Sequence, residues 1–194
     1  MKNNKQQAQT LVLGAIMTAF VIVLQWIGSV TTFFGPFSTA VGLIPIVLGA
    51  CMCGPLIGAW LGFVFGMVVL MTGGAALFFA FDIPGTIITV LVKGIACGLV
   101  SGLVYKGMWK LNKVIATIFA AIVCPIVNTS VFLLGCFVFF MDSADAIANN
   151  LQLEVTGMAL FWALAMGNFI LEVLSNAVLC PVIIRVMNLA GKKA

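Results

Sequence analysis

The sequence predicts an all-α integral membrane protein, a single domain over residues 1–194 built as a six transmembrane helix bundle with both termini cytoplasmic. Three observations carry this. First, 63% of the 194 residues are hydrophobic and 7% are charged, with a mean hydropathy of +1.27. Soluble chains are about 25% charged, so too few charges remain here to clothe a water-facing surface. So apolar a chain is also no candidate for intrinsic disorder. Second, apolar runs recur at lengths near the roughly 20 residues that a helix needs to cross a bilayer. Six such helices take up about 120 residues and leave no room for a soluble domain of ordinary size. Third, the lysines sort to one side of that topology, as set out below.

The first span is read over 10–27, behind Lys2 and Lys5. Its apolar run is longer than the core of a cleavable signal peptide, and further spans follow it. A loop over 28–38 contains Gly35-Pro36, which breaks a helix, and three aromatic residues, Phe33, Phe34 and Phe37. The second span, 39–53, is short and interrupted by Pro45, and Gly54-Pro55 then turns the chain into a third span over 56–71. The loop over 72–82 is again rich in glycine and phenylalanine. Pro84 suits the first turn of a fourth span, where its missing N–H leaves no gap, and this span runs to 105. Lys106, Lys110 and Lys113 mark a basic loop before the fifth span, 114–140. A polar loop over 141–154 precedes the sixth, 156–186.

With six spans the two termini share a side, and that side holds Lys2, Lys5, Lys106, Lys110, Lys113, Lys192 and Lys193, with Arg185 at its edge. The opposite loops hold Asp82, Asp142, Asp145 and Glu154 and no lysine or arginine. Positive residues stay on the cytoplasmic side of short loops, so both termini are expected in the cytoplasm. No inverted repeat of the kind that builds many self-contained carriers is evident.

Composition also narrows the chemistry. Histidine is absent, which removes imidazole acid–base catalysis, imidazole metal ligands and serine-hydrolase triads. The six cysteines lie in apolar runs and read as small hydrophobes. Cys51-Met52-Cys53 lacks the second pair that a four-ligand metal site needs. No metal, no cofactor and no nucleic-acid partner is expected, because the lysines form no clustered basic stripe.

Three spans carry small residues four apart, which stack on one helix face. They are Ala15 and Ala19, then Gly58, Gly62 and Gly66, then Gly94, Gly98 and Gly102. Small residues let helix backbones approach closely in lipid, where no hydrophobic force drives them together. Internal packing is the favoured reading of the two glycine ladders. A docking face for another membrane protein is the alternative, and the alanine pair is its better candidate.

Ionisable side chains inside the bilayer are costly and mark function. Lys93 lies about 14 Å into the fourth span at 1.5 Å per residue. Glu172 lies midway along the sixth, and Asn168, Glu172 and Asn176 recur on one of its faces. Asn128 stands midway along the fifth, with Thr129 and Ser130 beside it. In one reading Lys93 and Glu172 simply pair. In the favoured one these residues line a pocket for a polar solute, with lysine as a point charge for a carboxylate and asparagines as donors and acceptors. The aromatic loops would close over it. A self-sufficient carrier or channel with Lys93 and Glu172 on its pathway is a further reading. A membrane enzyme with Glu172 as base is opposed by the absence of histidine, so the chain is not expected to be an enzyme.

Several of these features, in this order, resemble the substrate-binding S component of energy-coupling factor (ECF) vitamin transporters. Ala15-Ile-Met-Thr-Ala19 matches the small-residue pair of the family's first helix. Ile44-Pro45, Gly49 and Gly54-Pro55, followed by the ladder from Gly58 to Gly66, resemble its second and third helices. The stretch from Gly98 to Lys106 resembles the end of the fourth. Asn128-Thr129, Asn168 and Glu172 resemble polar positions of the pantothenate-type subgroup.

The resemblance implies a bacterial plasma-membrane protein that binds a water-soluble vitamin at its outer face. A membrane T component and two cytoplasmic ATPase subunits would supply the power stroke. The chain has no phosphate-binding loop of its own. It further implies that Ala15 and Ala19 contact the T component. Lys93 would hold the ligand's anionic group while Asn128, Asn168, Glu172 and Asn176 bind the rest, and Phe33, Phe34 and Phe37 form the lid. Pantothenate is the favoured ligand, with riboflavin, folate and pyridoxine as alternatives.

Overall fold

A computed structural model describes residues 4–30, 42–110 and 112–190, with side chains over 7–29, 42–110 and 112–180. The described chain is all-helical. Helix α1 runs over Asn4–Val30, α2 over Leu43–Cys53, α3 over Pro55–Met71, α4 over Ala76–Phe79 and α5 over Ile83–Met108. Helix α6 follows over Lys113–Phe139, then a 3-10 turn at Met141–Ser143, α7 over Ala144–Asn150 and α8 over Gly157–Ala190.

Local chemistry explains the breaks. Gly54 adopts φ 99°, open to glycine but strained for other residues, and Pro55 opens α3 directly behind it. Asn112 caps α6 by accepting hydrogen bonds from the Val114 and Ile115 backbone N–H groups, at 2.9 and 3.4 Å. Pro84 stands in the first turn of α5, as the sequence predicts.

Three expectations change in detail. Among the described residues, four stretches are long and apolar enough to cross a membrane: Gln7–Ser29, Ile83–Met108, Lys113–Phe139 and Gly157–Cys180. At 11 and 17 residues, α2 and α3 reach about 16 and 26 Å, short of a hydrocarbon core about 30 Å thick. Pro45 does not interrupt α2. The helix begins at Leu43, so the proline falls in the first turn, where no intrahelical N–H is missed. The polar loop over 141–154 is not wholly a loop. Helix α7 points Ala144, Ile147 and Ala148 into a core with Phe140, Leu160 and Phe161, leaving its aspartate and asparagines outside.

Helix α3 packs antiparallel on α5 through the two glycine ladders, in their favoured reading as internal packing. A Cβ on Gly58 would lie 2.5 Å from the Gly98 carbonyl oxygen, and one on Gly62 would collide with the Gly94 carbonyl. A Cβ on Gly66 would lie 3.0 Å from the Val90 carbonyl. Only hydrogen in place of a side chain permits this approach.

Apolar side chains face outward over the bundle, among them Leu56, Leu134 and Val178, more than half exposed, as lipid rather than water as solvent requires. Among the described residues, two apolar cores lie inside. One gathers Val21, α2, Leu61 and Phe65. The other gathers the α6 end, α7 and the start of α8.

Candidate functional site

Between the two cores lies a cavity of about 120 Å³, room for several waters or a small solute. Phe65 and Val69 of α3 wall it on one side, and Leu77 and Phe78 of α4, Phe132 of α6 and Leu164 of α8 on another. Its polar groups are Lys93 of α5, Asn128 and Thr129 of α6, and Asn168 and Glu172 of α8. The participation of Gly74, Leu77 and Phe78 places it toward the end of the bundle that carries the 72–82 segment. Lys106, Lys110 and Lys113 lie at the far end of α5 and start of α6.

Each polar side chain is delivered by a feature of its helix. The ladder contact at Gly62 and Gly94 fixes α5 against α3 one residue from Lys93. Pro125 lies inside α6 one turn before Asn128. Asn168 and Glu172 are four apart on α8 and share a face.

Lys93 and Glu172 do not form a direct ion pair, since no nitrogen–oxygen contact within 4.0 Å joins them among the described residues. The Lys93 ammonium instead lies 5.3 Å from the centre of the Phe132 ring, a cation–π contact. The buried Glu172 carboxylate accepts from Asn128 Nδ2 at 3.3 Å. That bond fixes the Asn128 amide with its oxygen turned away, and Asn128 Oδ1 is buried without a partner. Asn168 Oδ1 is buried and unpartnered too. The cavity therefore presents a cation, a carboxylate and two unfilled carbonyl acceptors beside aromatic walls. Phe78 braces those walls edge-on, 5.5 Å from Phe132 and 5.0 Å from Phe140 between ring centres.

Of the residues singled out from sequence, Lys93, Asn128, Asn168 and Glu172 come together here. Asn176, expected on the same polar face, is not in the cavity wall. It is fully buried one turn further along α8, its Nδ2 donates to the Glu172 carbonyl at 2.9 Å, and its Oδ1 accepts from the Cys180 thiol at 3.7 Å. Phe33, Phe34 and Phe37 lie outside the described residues. Ala15 and Ala19 are exposed on the outer face of α1, while Gly14, Met17 and Val21 turn inward. The apolar walls, Phe65, Val69, Phe132 and Leu164, carry no mark in the sequence. Phenylalanine is common throughout, with 16 in the chain, and no local pattern separates a wall from a core. Among the described residues no cluster of cysteine and carboxylate side chains fits a metal ion.

The model of one protein family, described as the ECF transporter, substrate-specific component, matches residues 9–184. No curated protein and no solved structure gives a significant match. A match across nearly the whole chain, over an all-helical multi-pass framework, places this protein in the family of substrate-specific components of ECF transporters, which are transport proteins rather than enzymes.

Proposed function

We propose that the chain binds a water-soluble vitamin in the cavity between its two cores and delivers it for ATP-driven uptake. A membrane T component and two cytoplasmic ATPase subunits complete the importer. Pantothenate is the favoured ligand, and riboflavin, folate and pyridoxine are the others to test. Lys93 takes the ligand's anionic group. Asn128 Oδ1 and Asn168 Oδ1 accept from its amide or hydroxyl groups, and Glu172 accepts a hydroxyl or orients Lys93. Ala15 and Ala19 serve coupling to the T component rather than binding. The four long helices and the shorter α2 and α3 together form the membrane-embedded six-helix bundle, with both termini in the cytoplasm of a bacterial cell.

The observation that supports this reading best is the state of the polar wall. A lysine and a glutamate share the cavity without pairing, and two buried carbonyl oxygens have no donor. Buried polar groups are nearly always satisfied, so a wall that leaves several open fits an occupant with complementary groups. The test is mass spectrometry of small molecules that co-purify with the detergent-extracted protein, followed by calorimetric titration. Lys93→Ala and Asn168→Ala are both expected to weaken vitamin binding. Unchanged affinity in both variants puts the pocket elsewhere.

A further inference from the structure

Five buried side-chain nitrogen and oxygen atoms have no hydrogen-bond partner among the described residues, and four of them belong to Gln25, Asn128 and Asn168. The two asparagines line the cavity. Gln25 does not, and the site described above makes no use of it. Its side chain is 0% exposed, and both its amide oxygen and its amide nitrogen are unpaired. An amide taken out of water with neither function satisfied is unfavourable, since nothing replaces the lost hydrogen bonds. Packing does not ask for an amide at this position. Methionine has similar length and would continue the inward stripe of Met17 and Val21 without that penalty.

The surroundings of Gln25 point to a use. A Cβ on Gly42, just ahead of α2, would lie 3.0 Å from Gln25 Oε1 and 3.1 Å from Phe65 Cδ2. The amide oxygen and the edge of the Phe65 ring therefore border one small space that the glycine leaves open. Phe65 is itself a wall of the cavity, so Gln25 stands one aromatic ring away from it.

We propose that Gln25 is a specificity-determining residue of the cavity, pairing with a neutral polar group of the solute once the Phe65 ring turns aside. A primary amide offers two donors and an acceptor and no charge. Its buried match is a group that both donates and accepts while staying uncharged, a hydroxyl or a carboxamide. A second ionic group there would lack a counter-charge. The solute class is thus a small carboxylate with an anionic end at Lys93 and a neutral hydrogen-bonding end at Gln25. This inference rests on the reading of the cavity as the substrate site.

The test uses the full-length protein in detergent, titrated with pantothenate, riboflavin, folate and pyridoxine. It carries forward whichever carboxylate, pantothenate or folate, binds the wild type, and binding of riboflavin or pyridoxine alone, which carry no carboxylate, overturns the proposed solute class. Gln25→Met is expected to lower affinity roughly tenfold while the melting temperature of the ligand-free protein holds or rises. Gly42→Ala is a steric probe of the same space. Its backbone is right-handed helical, at φ −61° and ψ −18°, and accepts alanine without strain. Its methyl group intrudes on both Gln25 Oε1 and Phe65, so affinity is expected to fall several-fold. Asn168→Ala is the control for the cavity. Unchanged affinity in Gln25→Met and Gly42→Ala, with binding lost in Asn168→Ala, overturns the role of Gln25 and leaves the site standing. A lowered melting temperature of ligand-free Gln25→Met, with affinity lost in step, makes Gln25 structural and likewise overturns it. Failure of all four vitamins to bind the wild type, or unchanged affinity in all three variants, overturns the cavity reading and this inference with it.

Discussion

Lys93 and Glu172 hold opposite charge in a chain with little of either, yet each is held by a neutral partner, the Phe132 ring and the Asn128 amide. Removing a charge-assisted hydrogen bond to a ligand costs about 1.5–3 kcal/mol, or roughly ten- to hundredfold in affinity. Lys93→Met keeps an unbranched stem against Phe132 and removes the ammonium. It is expected to lower vitamin affinity by that factor in calorimetric titration, and wild-type affinity in this variant would sink the anchoring role. The two asparagines that flank Glu172 should separate. Asn168→Ala removes a cavity wall residue and weakens binding. Asn176→Ala leaves affinity within about twofold and lowers stability by about 1 kcal/mol, the net worth of one buried hydrogen bond, read as a shift in thermal midpoint. The scarcity of charge made Lys93 and Glu172 legible in the sequence. It did not distinguish Asn168 from Asn176, because a four-residue spacing fixes a helix face and not whether an amide reaches outward or folds back on its own carbonyl. Gln25 is illegible in the sequence for a related reason: a single uncharged amide in an apolar helix forms no pattern.

At the scale of helices, the contact between α3 and α5 holds the site together. Gly62 and Gly94 meet backbone to backbone, and Lys93 is the next residue. Gly62→Leu forces four carbons into a gap that does not admit one. Overpacking of this kind costs about 1–3 kcal/mol where the surroundings relax, and here the obstacle is backbone. The variant is expected to melt well below wild type in detergent and to lose ligand binding with it. An equally stable Gly62→Leu would mean that the two helices are not in this register. The ladders were visible in sequence as small residues four apart, and so were the long helices, whose apolar runs exceed any loop. Helix α7 was not. Seven residues with Asp145, Asn149 and Asn150 among them are too few to show a period, and its burial comes from Phe140, Leu160 and Phe161, contacts that exist only once the bundle is assembled.

For the whole molecule, orientation and coupling join in one chain of consequence. In the proposed orientation, which rests on the lysine asymmetry, the α5–α6 connection is cytoplasmic, and the cavity lies toward the opposite end of the bundle, beside Gly74 and Phe78. On that proposal, a solute that enters from outside is carried inward by movement of the protein against a partner. The outer face of α1 supplies the candidate contact, with Ala15 and Ala19 exposed and free of any part in the cavity. Orientation is tested with single cysteines at Asp145 and Lys110, both exposed, in a chain whose native cysteines are buried apart from the half-buried Cys53. A membrane-impermeant maleimide should label Asp145→Cys in intact cells and Lys110→Cys only after permeabilisation. The reverse pattern would invert the molecule and face the cavity to the cytoplasm. Coupling is tested by Ala15→Trp, whose bulk removes the close backbone approach that small residues allow. Vitamin affinity of the purified variant should match wild type, because Ala15 touches nothing in the site, while ATP-driven uptake by cells that also make the T component and the ATPases should stop. Full uptake in Ala15→Trp would free α1 of the coupling role, and uptake by the chain alone in liposomes would show that it needs no partner to move its solute.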